Sequence, residues 1–282
     1  MRAAVRPRHS RMGIDMRNSV QLSVRQFIMQ AGFVILVSTA MIVGAAVPAA
    51  AQEGSKSRDW DPRDFRGIWQ TSIRDITEGM LPGEEIAFTP YGAAKHKSFD
   101  LQEYSRKGCE NKGLTRQMLS NSLSMFVQDP KLQMMIVLHE DFNRWRAIYM
   151  DGRGHPKEVY DIPEPFGHSI GHWEGDTLVV DSVGFRDTTY LDTNGLGHSA
   201  KLHLTERFKR TGPDTIEWTT TVEDSLFYVH PFTFRSVFTR EEEGVRLMIY
   251  DCENEKDNEF VQSVIRGDNE IHAHPEYFKF PK

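Results

Sequence analysis

Cysteine is scarce in this sequence: there are two in 282 residues, Cys109 and Cys252. Neither sits in the spacing of a zinc site or beside the groups that activate a thiol, so a cysteine-ligated metal fold and a cysteine nucleophile both lack support. In an exported chain the pair suits one disulfide closing a long loop, worth on the order of 4 kcal/mol in the chain-entropy model. Two buried free thiols are the alternative. Other signatures are missing as well. There is no G-x-S-x-G elbow, no phosphate loop and no dinucleotide fingerprint, which removes the usual supports for serine-hydrolase and nucleotide chemistry. No cofactor is called for. No internal repeat is visible, and beyond residue 51 no apolar run is long enough to span a bilayer.

What is present begins with export. Six arginines, from Arg2 to Arg25, precede an apolar run over residues 33–51 that ends in Ala49-x-Ala51 before Gln52. Basic region, apolar stretch and small-residue site together read as a secretory signal peptide. A membrane anchor is the alternative; with no cysteine at the junction, a lipid anchor there is disfavoured. The expected organisation is a signal over residues 1–51 and a single domain over 52–282, periplasmic or secreted. The whole chain has a formal net charge of −6. Residues 1–51 hold six basic groups and one acid, Asp15, so the remainder carries 28 basic against 39 acidic side chains, a net charge of −11. That surplus disfavours nucleic acid and anionic membranes as partners. A small molecule is the expected partner, and a homodimer stays open.

From residue 123 the pattern is short alternating runs punctuated by turn residues. Strands are expected over 123–128, 132–139, 144–150, 201–209, 215–223, 232–239 and 245–252, with Gly212-Pro213-Asp214 and Glu242-Glu243-Gly244 among the turns. Phe88-Thr89-Pro90 opens a turn followed by a short helix. With an opening strand at Phe65–Trp69 and a central hairpin, about ten strands result. Gly67-Ile68-Trp69 resembles the lipocalin signature, in which a tryptophan plugs one end of a barrel. The expected fold is therefore all-β: a lipocalin-like, calycin-type antiparallel β-barrel, with a two-sheet β-sandwich as the alternative.

Residues 167–185, GHSIGHWEGDTLVVDSVGF, are the stretch most loaded with chemistry. Gly175-Asp176 suits a type II′ turn, which sets the register: Glu174 opposite Thr177, His172 opposite Val179, Ile170 opposite Asp181 and His168 opposite Val183. One face then carries His168, Ile170, His172, Val179, Asp181 and Val183; the other carries Ser169, Gly171, Trp173, Leu178, Val180 and Ser182. Two imidazoles and a carboxylate among apolar neighbours are expected to look into an enclosed hollow. Asp181 lies diagonally from both histidines, near enough to polarise one into a general base. Histidines four apart on a strand are about 13 Å apart, too far for one metal ion. A metal would need His155, His198 or His203 to converge from elsewhere, so none is expected. Glu206 interrupts the apolar face Leu202, Leu204, Phe208 and is either a second acid or a strut paired with Arg146 or Arg235. Tyr149, Arg153, His155 and His198, on a strand end and two glycine-rich loops, are candidate substrate contacts.

The runs DGRGHP (residues 151–156) and GHSIGHWEGDTLVVDSVGF, with His198-Ser199 and Glu206-Arg207-Phe208, resemble a family of exported bacterial proteins of unassigned activity. The resemblance covers most of the chain beyond the signal and implies an association with the breakdown of plant-derived aromatic compounds. The expectation is an exported, cofactor-independent lyase or isomerase. His168, His172, Asp181 and Glu206 would carry acid–base chemistry on a small hydrophobic, aromatic molecule. The alternative is a lipocalin-like periplasmic binding protein.

Overall fold

The computed structural model describes residues 59–106, 112–248, 278–279 and 281, all within the unit Gly54–Lys282. The expected signal peptide and both cysteines, with their bridge, lie outside the described residues. Eleven strands are described: β1 (Gly67–Thr71), β2 (Ile86–Ala87), β3 (Ser124–Asp129), β4 (Met134–His139), β5 (Arg144–Tyr149), β6 (His168–Glu174), β7 (Thr177–Val183), β8 (His203–Gly212), β9 (Thr215–Glu223), β10 (Phe232–Arg240) and β11 (Phe278–Lys279). Nine of them close into a barrel in the order β1-β10-β9-β8-β7-β6-β5-β4-β3. β2 and β11 form a separate parallel pair. The fold is thus the expected all-β barrel and not a sandwich.

Two features differ from the expectation. β5 and β6 run parallel, joined by a crossover over residues 150–167. The last expected strand, 245–252, is not formed over its described part, Val245–Met248. β1 already pairs with both β3 and β10, through Trp69 opposite Ser124 and Thr71 opposite Phe238, so the barrel closes without another strand.

Helices are few. α1 (Pro90–Lys97) starts where Thr89 accepts a hydrogen bond from the Gly92 N–H, with Pro90 at the position that needs no donor. α2 (Leu101–Arg106) and α3 (Leu114–Met118) follow in the connection from β2 to β3.

The interior is filled rather than hollow. Phe126, Phe208, Trp218, Phe234 and Phe238 are fully buried, with ring centroids 5.4–6.1 Å apart. Each ring contributes about 1.5–3 kcal/mol by leaving water. One end is sealed by Trp69, whose indole N–H donates to the Phe65 carbonyl at 2.9 Å. The Arg240 guanidinium lies 4.1 Å above its ring, and Phe65 stacks on Trp173 at 5.6 Å. That end also holds the tight turns, including Gly175-Asp176. Gly175 has φ +58° and Asp176 stays at negative φ, as a type II′ turn requires.

The hairpin register is the expected one at every pair from His168–Val183 to Glu174–Thr177. Its faces are the reverse of the expectation. Ser169, Gly171, Trp173, Leu178, Val180 and Ser182 point into the barrel; His168, His172 and Asp181 are on the outer wall. The reason is room. Ser169 and Ser182 meet through their hydroxyls at 2.8 Å, and a Cβ on Gly171 would stand 2.9 Å from Ile148. Small inward residues leave space for the rings, while Val179 and Val183 are buried from outside.

Candidate functional site

The outer wall becomes a site because the crossover folds back over it. Glu164 bonds the backbone at both Gly184 and Arg186, and this tethers the segment to the end of β7. At Gly184, φ is +75° and a Cβ would stand 2.7 Å from the Val159 carbonyl, so only glycine admits this approach. His155 is thereby laid across β6 and β7.

A continuous hydrogen-bonded chain results. Asp181 Oδ1 meets His155 Nε2 at 2.7 Å, and Asp181 Oδ2 meets His203 Nε2 at 2.7 Å. His203 Nδ1 lies 3.0 Å from Glu223, its direct partner across β8 and β9. His155 Nδ1 and His168 Nδ1 are 2.8 Å apart. The His168 ring stacks on Tyr149 at 5.2 Å, and Arg153, paired with Asp151 at 2.6 Å, lies 4.2 Å over Tyr149. Exposure is graded: the His155 side chain is 15% exposed, His203 36% and Asp181 39%.

The partners assign the protons. His203 stands between two carboxylates that only accept, so both its nitrogens donate and it is an imidazolium. The hydrogen bond to Asp181, with the charges of Asp181 and Glu223, raises its pKa against a burial penalty. Asp181 is held below the usual carboxylate range by the bond from His203 and then by His155. His155 donates from Nε2 to Asp181. One of the two facing Nδ1 atoms must carry a hydrogen. Burial, and after it the nearby His155 and Arg153, lower the His168 pKa, which keeps that ring neutral near pH 7. With His168 as the donor to His155, its Nε2 keeps a lone pair.

Of the eight expected site residues, His168, Asp181, His155, Tyr149 and Arg153 come together here. His172 does not: it is 64% exposed and, among the described residues, pairs with Glu174 at 3.3 Å. Glu206 lies inside the barrel as the strut, accepting from both terminal Arg146 nitrogens at 2.6 and 3.1 Å and from the Trp218 indole at 3.0 Å. His198 is buried elsewhere, between the Thr189 hydroxyl at 2.7 Å and the Ser199 carbonyl at 3.0 Å. His203 and Glu223 complete the chain without having been expected there. Their signal was available: alternation along HLTERF puts His203 on the face opposite Leu204 and Glu206, hence on the outer wall. Among the described residues no group of three or more His, Cys, Asp or Glu side chains is arranged to hold a metal ion. Nor is any described helix long and apolar enough to cross a membrane.

No family model matches the chain, and no curated protein matches it. Among solved structures it is similar to two secretory abundant heat soluble proteins from Ramazzottius varieornatus. One is 9% identical, with 64% of this chain and 98% of that one covered, at a TM-score of 0.32. The other, protein 4 of that group, is 12% identical, with 65% and 99% covered, at 0.30. The fold assignment rests on the strand pairing itself.

Proposed function

We propose that this chain is an exported proton-transfer enzyme, a cofactor-independent lyase or isomerase acting on a small aromatic or otherwise hydrophobic molecule. Its chemistry takes place on the outer wall, beneath the 150–167 crossover. The observation that carries this reading is the continuous chain of contacts between acids and imidazoles from Glu223 through His203, Asp181 and His155 to His168.

His168 is the base. Its Nε2 takes a proton from the substrate while its Nδ1 proton passes to His155 Nδ1. His155 becomes the imidazolium and rests against ionised Asp181, so the new charge is neutralised two groups away from the substrate. The electron pair left on the substrate expels a leaving group in a lyase, or accepts the proton at another carbon in an isomerase. A base placed this way contributes about 10²–10⁴-fold. Tyr149 offers a ring face beside His168, and the crossover exposes Tyr160 and Ile162, a surface suited to an apolar substrate.

A binding protein for a small hydrophobic ligand is the second reading, favoured by the closed barrel. The aromatic packing along the barrel interior weighs against it. Incubation with a panel of aromatic ethers and dimers, followed by mass spectrometry, separates the two. Enzymatic action yields a product that His168→Ala does not form. Ligand retained unchanged by the wild type favours binding. Full turnover by His168→Ala would end the assignment of the base.

A further inference from the structure

The outer wall of the barrel has two stretches of opposite character. On β3, β4 and β5 the alternation sends Phe126, Val137 and Arg146 inward and leaves the positions between them outside. Register aligns those outward positions into rows. Met125, Leu138 and Trp145 form one row across the three strands, and Val127, Ile136 and Ala147 form the next. Ile68 of β1 extends the first row by one strand. None of these side chains carries a charge, and the Trp145 indole N–H is the one good hydrogen-bond donor among them. Across β8, β9 and β10 a row reads Arg207, Thr219 and Arg235, and the next Lys209, Glu217 and Val237.

One barrel thus builds a charged wall and an apolar one from the same pleat, so strand geometry does not account for the apolar one. It is open to solvent: Trp145 is 61% exposed, Val127 38%, and Leu132 at the β3–β4 turn 64%. Four strands about 4.8 Å apart and six residues of about 3.3 Å each give a face of roughly 400 Å². Apolar patches of that size on a protein surface mark places of contact. Two such faces together bring about 800 Å² of apolar core before any rim. That falls short of the roughly 1,600 Å² of a standard interface and belongs with the weak, exchanging ones. Composition indicates the partner. The chain carries a net charge of −6, so two copies repel in most orientations and can meet best where neither presents charge. A two-fold contact lays each patch on the same patch of the partner, which suits a neutral apolar face and penalises a singly charged one. Because the barrel is closed, the copies meet by faces and not by a free strand edge. Two such faces pack about 10 Å apart, as the layers of a β-sandwich do.

We propose that the outer wall of β1, β3, β4 and β5 is the interface of a homodimer, in which two copies of this chain meet face to face about a two-fold axis with Trp145 as the anchor. The modest area makes it a dimer with a micromolar dissociation constant. Tyr149 continues β5 from this face to the ring of His168, so the second copy borders the acid–base chain. The interface does not depend on the chemistry of that chain.

The test is sedimentation equilibrium of the purified chain from Gln52 onward, which contains the whole compact unit Gly54–Lys282, over about 1–200 µM. A reversible monomer–dimer equilibrium is expected. Trp145→Glu places a carboxylate on both sides of a two-fold contact and should weaken association at least about tenfold, with the melting temperature of the dilute monomer unchanged. Val127→Lys should act in the same way from the second row and serves if Trp145→Glu fails to fold. Thr219→Glu, on the polar wall, should dimerise as wild type does. Three results overturn the proposal: a wild-type monomer up to the highest concentration, a dimer weakened no more by Trp145→Glu and Val127→Lys than by Thr219→Glu, or a monomer that Trp145→Glu destabilises. The last would mean that another part of the same chain covers the wall. A wild-type monomer that floats with phosphatidylcholine vesicles would overturn it in favour of a lipid surface.

Discussion

The outer wall and the barrel interior use the same kinds of side chain to opposite ends. Inside, Arg146 and Glu206 are 2% and 1% exposed and locked to each other and to Trp218. Outside, Asp181 and His203 touch water and belong to a chain whose members can trade protons. A dry ion pair cannot change charge without a penalty of several kcal/mol, whereas half-hydrated imidazoles can. Burial therefore marks Glu206 as a strut, and partial exposure suits His168 and its neighbours to chemistry.

The largest effect should come from breaking the strut. Glu206→Ala strands the Arg146 charge in an apolar interior and should cost about 3–5 kcal/mol of unfolding free energy, measured by denaturant titration. Replacing both partners together, Arg146→Met with Glu206→Leu, should recover most of that loss. A Glu206→Ala variant as stable as wild type would erase the contrast between the two regions.

Asp181→Asn should do the reverse. We expect less than about 1 kcal/mol of destabilisation, because the site is half exposed, with a fall of about 10²-fold or more in turnover of whichever aromatic substrate the panel identifies. The small stability term has a sign. His203 has a pKa raised above its ordinary 6.5, so its contribution is complete below about pH 6.5 and is lost as pH rises through the raised value. The gap in melting temperature between wild type and Asp181→Asn should accordingly narrow from mildly acidic to alkaline buffer. A gap that widens would contradict the charged His203.

The smallest effect belongs to His172→Ala. That side chain shares its strand and face with His168 but lies beyond the crossover, so stability should change by less than about 0.5 kcal/mol and turnover not at all. Loss of activity here would move the site along the strand.

Much of this organisation is legible from local pattern. The period-two alternation of residues 167–185 and the Gly175-Asp176 turn specify the hairpin and its pairing, because one turn type with a glycine at positive φ admits one register. Alternation also marks Glu206 as inward, where only a partnered carboxylate survives. The parallel β5–β6 pairing is not legible, since it depends on where an 18-residue connection lands. Neither is the meeting of His203 and His155 at Asp181, with Glu223 behind His203, which joins residues from three strands and a crossover.

The amino-acid order alone determines the alternating strands, the tight turns, the acidic balance and the candidate imidazoles, because each follows from interactions within a few residues. Which hairpin face turns inward is a decision of the closed barrel. Aromatic rings from the other strands occupy the interior, and only the face of serines and glycine leaves them room. That steric choice carries His168 and Asp181 to the outside, where the crossover reaches them.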